Sequence, residues 1–462
     1  MMRALHQSLP SAFLVLAILL GGSTSGGAVP NAVLQLVAVL LIAFTSLSAG
    51  GIANVAAERH LFMLALAVPA IAVLQLIPLP PSIWTHFGGR AAAAEGYALA
   101  GAPLPWLPLS LWPASTIASI AAVLPVLAAL RLISGAGPNA VRRMAWTLAV
   151  LAAGSFLLGF FQIAGGQQSP FYLYHLTNRD QLVGMFANSN HLATLGVMTL
   201  PFIAALAARE GDGGDAAPKN AGKWVMLSGL TIFIILGTVA DGSLAGILLM
   251  VPSVLGSAII LRVERRRVAL PLIGLLLVAT FGLLILIGVS SPLLHGFAAT
   301  DIAAGTGTRT SIYRDTLRAI RDLAPLGSGL GSFLMVYPLY AGAQAATTVY
   351  INHAHNDYLE FLMETGIVGL ILMILFFAWW VRQALFAWRE AGQRARFARA
   401  ATVASALIMA HSVVDYPGRT AALAVLFAMC CAIMARPLAT ISGQLFAGSA
   451  QRTRGKMMEA DG

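Results

Sequence analysis

The stretch INHAHNDYLEFLMETGIVGL, residues 351–370, places a cluster of polar side chains directly before an apolar run. The cluster contains His353, His355, Asn356 and Asp357. Two imidazoles, an amide and a carboxylate lie within five residues, so the cluster is a candidate for chemistry. Polar groups beside a membrane span are costly, and a functional role is the first hypothesis for them.

The spacing within HAHND also allows a metal site, because alternate side chains of an extended segment point the same way. Zinc would need three or four ligands, which His191 and Asp415 could complete. Nothing in the sequence fixes the geometry of such a set. We predict neither a metal nor any other cofactor.

The composition identifies the environment of this cluster. Hydrophobic residues make up 58% of the 462 residues and charged residues only 10%, whereas soluble domains average roughly 25% charged residues. A spanning helix needs about 20 mostly apolar residues, and the continuous apolar runs exclude the alternating strands of an outer-membrane barrel. We therefore predict an all-α polytopic membrane protein with about twelve transmembrane helices. The apolar runs lie near 10–27, 29–49, 61–79, 114–134, 144–165, 185–208, 223–240, 243–261, 268–289, 362–381, 400–415 and 420–436.

The basic residues predict the orientation. If the N-terminus is cytoplasmic, twelve spans leave only seven of the 28 Lys and Arg residues outside, as the positive-inside rule requires. Both termini are then cytoplasmic, and the run RVERRR at 262–267 is a topology anchor, so no nucleic-acid partner is expected. The first run could instead be a cleaved signal peptide, but an uncleaved helix is simpler because eleven runs follow. The seven outside residues are Arg90, Arg179, Arg309, Arg314, Arg318, Arg321 and Arg419.

This topology puts many polar residues on the same side of the membrane as His355. A functional reading groups them in one site; the alternative is a set of separate helix caps and interfacial anchors. The residues are Arg179, Asn188, Asn190, His191, Arg309, Arg314, His353, His355, Asn356, His411 and Asp415.

The segment from about 290 to 361 is predicted to be a long outside loop with short helices. In TSIYRDTLRAIRDL, helical spacing puts four apolar residues on one face and three arginines on the other, as in an interfacial amphipathic helix. The following PLGSGLGSF predicts a tight glycine turn that approaches either a phosphate or another helix. The apolar residues are Ile312, Leu317, Ile320 and Leu323, and the arginines are Arg314, Arg318 and Arg321.

The polar cluster also predicts how the next helix begins. Asn356 is a suitable N-cap, and the helix dipole favours Asp357 in the first turn. Gly366 and Gly369 are small residues that would let a neighbouring helix pack closely below His355. Glu364 lies deeper in the helix and requires a partner that the sequence does not identify.

These motifs together resemble the O-antigen ligase family of bacterial envelope glycosyltransferases. The family signature is His, then Asn, Ser or Gln, nine residues, Gly, two residues, and Gly, Thr or Tyr. His355, Asn356, Gly366 and Gly369 match it. GMFANSNHLA, the stretch GTRTSIYRDTLRAIRDLAPLGSGLGSF and HSVVDYP resemble further motifs of the family, so the resemblance covers roughly 179–420. It divides the chain into N-terminal transmembrane helices at 1–178, a catalytic region at 179–436 and a cytoplasmic tail at 437–462.

The resemblance implies transfer of a glycan from undecaprenyl diphosphate to an acceptor hydroxyl, on a glycan or on the lipid A core. The reaction would take place at the periplasmic face of the bacterial inner membrane, without metal or nucleotide. His355 would be the general base, and Arg309 would hold the diphosphate. Many members have a second arginine where this chain has Leu244.

Further substrate contacts follow from the same resemblance. Because this chain has Leu244 where many members have an arginine, Arg179 or Arg314 would be the second diphosphate ligand. Asn188, Asn190 and Asn356 are candidate contacts to the diphosphate or the glycan.

Several functions remain open at this level. Ligase, polymerase and protein O-glycosylation branches differ in their acceptor, which the sequence does not identify. A transporter or flippase of lipid-linked glycan is the alternative from another class, although the polar groups gather on one face instead of at the midplane. An intramembrane metalloprotease is excluded because the motif H-E-x-x-H is absent.

Overall fold

The computed structural model describes residues 2–24, 27–48, 56–208, 221–264, 302–341, 351–390 and 393–435. The apolar run at 268–289, the basic run RVERRR from residue 265 on and the tail at 437–462 lie outside these ranges, as do parts of the predicted loop at 290–361.

The described residues are mostly helical and contain almost no strand, as predicted. A single pair of two-residue strands, β1 (Pro78–Leu79) and β2 (Leu107–Pro108), is antiparallel. The helices are α1 (Met2–Leu20), α2 (Ala28–Ser48), α3 (Ala56–Gln75), α4 (Pro81–Trp84), α5 (Ala91–Leu99), α6 (Pro113–Ser134), α7 (Pro138–Ala164), α8 (Ser189–Ala207), α9 (Ala221–Ala240), α10 (Leu244–Glu264), α11 (Ile302–Asp322), α12 (Phe333–Tyr340), α13 (Asp357–Arg389), α14 (Gln393–His411) and α15 (Ala421–Ala435).

Eight of the described helices are long and apolar enough to cross a membrane: α2, α3, α6, α7, α8, α9, α10 and α13. Helices α1 and α15 have shorter apolar segments. Helix α14 is not among these candidate spans. Its first half contains three arginines, Arg394, Arg396 and Arg399. The chain is therefore an all-α multi-pass membrane protein, whereas the number twelve stays a prediction.

Helix α8 lies at the centre of the bundle. Nearly all of its residues are buried, and it packs against α7, α9, α10 and α14. Gly196 explains part of this close packing, because a Cβ there would collide with Thr238 and Phe156. Helices α2, α9 and α10 instead expose large apolar side chains, such as Leu36 and Leu248, on the outside of the bundle. These surfaces match the apolar environment of a bilayer.

Helix α11 is amphipathic, and it packs on α13 and α12. Ile312 and Leu323 are buried, whereas Arg314 and Arg318 are exposed. Leu317 does not share this buried face, because its side chain is 45% exposed. The buried face of α11 instead continues through small and polar residues such as Thr316.

The glycine turn after α11 contacts other helices, which confirms the second of the two predicted alternatives. Ser328 N and Gly329 N donate to the carbonyl oxygens of Met363 and Glu364, at 3.0 and 2.9 Å. The backbone hydrogen bonds of α13 are interrupted at this point because Gly366 has the non-helical angles φ 58° and ψ −145°. A Cβ at Gly366 would collide with the backbone at Pro325. The turn therefore fills the break in α13 and satisfies the backbone groups that the break exposes.

Candidate active site

Several helices have their termini together at one end of the bundle. Helices α1 and α9 end there, and α8, α10, α13 and α15 begin there. Ala187 N donates to the carbonyl of Gly22, and Ala422 N to that of Gly21, both at 3.0 Å. A polar cavity of about 620 Å³ lies among these termini. Its wall includes Asn188, Asn190, His191, Asp241, Arg309, His355 and His411.

His355 is held on this wall by its backbone and by one ring nitrogen. Its φ of +50° is unusual for a residue other than glycine, and Tyr313 donates its hydroxyl to the His355 carbonyl at 2.7 Å. Nδ1 lies 3.2 Å from Oδ1 of Asp415, and the ring meets the Tyr416 ring edge-on. The His355 side chain remains 25% exposed, towards the cavity that it lines.

Asp415 is a fully buried carboxylate with several hydrogen-bond donors. Besides His355, it accepts from Asn190 Nδ2 at 2.6 Å and from the backbone N of Tyr416 at 2.9 Å. Burial would raise the pKa of Asp415, but the hydrogen bond and charge of His355, with the nearby histidines, lower it well below its ordinary value. An ionised carboxylate only accepts, so Nδ1 of His355 carries the hydrogen in this bond, and in the neutral form of the ring Nε2 keeps a free lone pair. This arrangement leaves Nε2 available as a base.

The predicted asparagines occupy distinct positions. Asn190, on α8, links Asp415 to the start of α10. Its Nδ2 donates to Asp415, and its Oδ1 accepts from Ser243 at 2.6 Å. Asn188 is the N-cap of α8 and contacts the Tyr416 hydroxyl at 3.4 Å. Asn356 is the N-cap of α13, as predicted, and also donates to the carbonyl of Val413 at 2.8 Å. The Asn356 amide is therefore engaged in structural hydrogen bonds.

The predicted arginines are separated by the fold. Arg309 lines the cavity together with His355 and Leu244. Arg179 is exposed, donates to the Gln167 carbonyl and lies over the Tyr172 ring at 5.4 Å. Arg314 is exposed beside Asp315. Neither Arg179 nor Arg314 belongs to the cavity wall within the described part of the chain.

The two histidines of HAHND face different carboxylates. His353 Nδ1 lies 2.8 Å from Glu360, whereas His355 is paired with Asp415. His191 is directed to a hydroxyl, since its Nδ1 lies 2.8 Å from Oγ1 of Thr420. Over the ranges that the structure describes, no group of three His, Cys, Asp or Glu residues is arranged to hold a metal ion.

Arg419 is the partner that Glu364 required. Its guanidinium lies 3.0 Å from Glu364, 3.5 Å from Glu360 and 3.7 Å from Asp357. Burial would lower the pKa of Arg419, but the three carboxylates raise it above its ordinary value, so the guanidinium stays charged. This ionic network joins the short 3₁₀ turn Pro417–Arg419 to the first two turns of α13. It therefore fixes the helix that begins directly after His355.

We expect Arg419→Met to destabilise the fold, because it leaves the buried carboxylate of Glu364 without its cation. Breaking a buried ion pair by removing one partner costs about 3–5 kcal/mol. Thermal unfolding of the purified protein in detergent, followed by tryptophan fluorescence, measures the effect. Arg318→Met is the matched control, because the Arg318 ion pair with Asp315 is exposed and contributes little. Equal unfolding temperatures for the two variants would contradict the prediction.

Two features of the site were not predicted from the sequence. The pairing of His355 with Asp415 joins residues 60 positions apart. Asp241 lines the cavity directly after α9. In the same segment, only Leu244 was identified from the sequence, as the position of a missing arginine. The signal for Asp241 was present, because an acidic residue at the end of an apolar run is uncommon.

Comparison with known proteins agrees with these motifs. The family model described as O-antigen ligase matches residues 228–374, which include Arg309, His355, Gly366 and Gly369. The match covers less than half of the chain and does not extend to Asn190 or over the rest of 179–420. No curated protein matches the chain significantly. Over residues 228–374, the chain is therefore similar to the O-antigen ligase family.

Proposed function

We propose that this protein transfers a glycan from undecaprenyl diphosphate to an acceptor hydroxyl, with inversion at the anomeric carbon. The observation that carries the proposal is the shared cavity of Arg309 and His355, in which a buried carboxylate orients the imidazole. A base and a phosphate ligand on one wall are what such a displacement requires.

The reaction follows from these positions. Nε2 of His355 removes the proton of the acceptor hydroxyl, and the acceptor oxygen attacks the anomeric carbon. The bond from that carbon to the diphosphate oxygen breaks, and undecaprenyl diphosphate leaves with the bonding electrons. Asp415 stabilises the imidazolium that forms, since its carboxylate accepts from Nδ1. Arg309 binds the leaving diphosphate, because a planar guanidinium suits phosphate oxygens and the interaction strengthens as charge develops.

The membrane location is part of the same proposal. The uneven distribution of Lys and Arg supports a bacterial inner-membrane protein with its cavity facing the periplasm. We assign catalysis to residues 179–436, with transmembrane helices at 1–178 before this region and a cytoplasmic tail at 437–462 after it. The reaction needs no metal or nucleotide.

The acceptor separates two branches of this function. An O-antigen ligase would use the lipid A core, and a polysaccharide polymerase would use another lipid-linked glycan. A transporter or flippase is less favoured, because the polar cavity lies among helix termini at one end of the bundle, whereas transporter sites lie near the midplane.

Deletion of the gene, with complementation by the wild-type gene, tests the function. We expect surface polysaccharide to be lost and lipid-linked glycan to accumulate in the deletion strain. Accumulation of long lipid-linked chains identifies a ligase, and accumulation of single repeat units identifies a polymerase. Unchanged surface polysaccharide and unchanged lipid-linked glycan would contradict the proposal.

A further inference from the structure

Asp241 is a buried carboxyl group on the cavity wall that the proposed reaction does not use. The residue is only 4% exposed, and neither carboxyl oxygen has a hydrogen-bond partner among the residues that the structure describes. Buried side-chain oxygens in native proteins almost always have a partner. An unpaired carboxyl on a cavity wall therefore indicates a ligand that supplies one.

The backbone fixes Asp241 in this position. Helix α9 ends at Ala240, and the N–H of Asp241 donates to the carbonyl of Gly237 at 2.9 Å. Gly242 then turns the chain with φ +75°. Ser243 directly precedes α10, and its hydroxyl accepts from Gly246 N and donates to Asn190 Oδ1. The neighbouring hydroxyl is thus engaged elsewhere, and Asp241 remains unpaired.

The same wall offers a second unpaired polar atom. His191 is 2% exposed, and its Nε2 has no partner within the described part of the chain. Its Nδ1 is already bonded to Thr420, so the ring cannot turn without losing that bond. A ligand with several hydroxyl groups would satisfy both His191 and Asp241.

The chemistry of the wall favours a sugar over a phosphate or a metal ion. Arg309 is the only Lys or Arg among the wall residues that the structure describes, so a phosphate belongs beside it. Asp241 is the only acidic residue among the described residues of the wall, and a metal ion requires several such ligands. Burial raises the pKa of Asp241 well above its ordinary value. A carboxyl group accepts hydrogen bonds in either form and also donates when it is protonated, and a sugar hydroxyl can pair with both forms.

We propose that Asp241 binds a hydroxyl group of the sugar that is attached to the donor diphosphate. This inference rests on the proposed function, since it takes the diphosphate to lie at Arg309 and the sugar to lie beside it. A cavity of about 620 Å³ has the size of an ordinary small-molecule site. Asp241 is thus a specificity residue, and it takes no part in the displacement itself.

Binding of two lipids by the purified full-length protein in detergent tests this inference. The probes are undecaprenyl diphosphate and undecaprenyl diphosphate linked to one N-acetylhexosamine. We expect the wild type to bind the sugar-bearing lipid more tightly. Asp241→Leu should weaken binding of that lipid on the order of tenfold, through the lost hydrogen bond, and leave the bare lipid within about twofold. Asp241→Asn should keep most of the preference, because its amide also donates and accepts.

Thermal unfolding without lipid separates this role from a structural one. Asp241→Leu should unfold at the wild-type temperature or above it, because it removes an unpaired buried polar group. Asp322→Leu, at the exposed end of α11, is the matched control and should leave both affinities unchanged. Absence of binding of either lipid to the wild type would contradict the proposed function. Binding of both lipids with no preference, or an equal loss of both in Asp241→Leu, would overturn the role of Asp241 alone.

Discussion

His355→Asn is expected to abolish glycan transfer while the protein folds and inserts normally. Asparagine tolerates the positive φ that residue 355 adopts, and it leaves the backbone carbonyl free to accept from Tyr313. It has no group that can take a proton from a hydroxyl at neutral pH. Since a positioned base contributes about 100- to 10,000-fold, the rate should fall by that factor. Restoration of surface polysaccharide in the deletion strain, quantified at equal protein level, measures the effect.

His60→Asn is the control for the loss of an imidazole, because His60 is exposed on α3. It should complement as well as the wild-type gene. Restoration of surface polysaccharide by His355→Asn at the wild-type rate would exclude His355 as the base, and Asp415 would then have no catalytic group to orient.

The arrangement of one polar site at a single end of the bundle could be predicted from the sequence. Topology required only the length of the apolar runs and the distribution of basic residues, and it put Arg309 and His355 on the same side of the membrane. The structure brings these two residues to one cavity. The N-cap at Asn356 was also predictable, because capping depends on the residue type and on its immediate neighbours.

Contacts between distant segments could not be predicted in this way. Glu364 and Arg419 form an ion pair, and His355 and Asp415 form a hydrogen bond, only because α13 lies beside α14 and the 3₁₀ turn. Hydropathy determines that helices cross a membrane but does not determine which helices are neighbours. Helix–helix packing depends on how the side-chain shapes and small residues of two helices fit together, which the hydropathy of a single run does not describe.

The side of the membrane on which an arginine lies also does not identify it as a diphosphate ligand, because a ligand must lie at the site itself. Arg179 and Arg314 have the charge and the predicted sidedness of diphosphate ligands. In the structure, one lies over Tyr172 and the other lies beside Asp315. Leu317 illustrates the same limit for apolar residues. Leu317 lies five residues after Ile312, which turns it away from the buried face of α11 and leaves it exposed.

Arg309→Lys is expected to reduce transfer nearly as much as loss of the base. A lysine keeps the charge but not the planar pair of donors that binds two phosphate oxygens. Removing one stabilising donor from a developing negative charge typically costs about 100-fold or more in rate. The loss should not be compensated locally, because Leu244 lies on the same wall and Arg309 is the only Lys or Arg among the described wall residues. Transfer in the complemented deletion strain measures this effect.

Arg318→Lys is the matched control, since Arg318 lies on the same helix with its side chain exposed and paired with Asp315. It should transfer glycan at the wild-type rate. Binding of bare undecaprenyl diphosphate adds an independent measurement, because Arg309→Lys should weaken it whereas His355→Asn should not. A full transfer rate in Arg309→Lys would mean that the diphosphate is held elsewhere. The sugar would then no longer be expected beside Asp241, because its predicted position depends on binding of the diphosphate at Arg309.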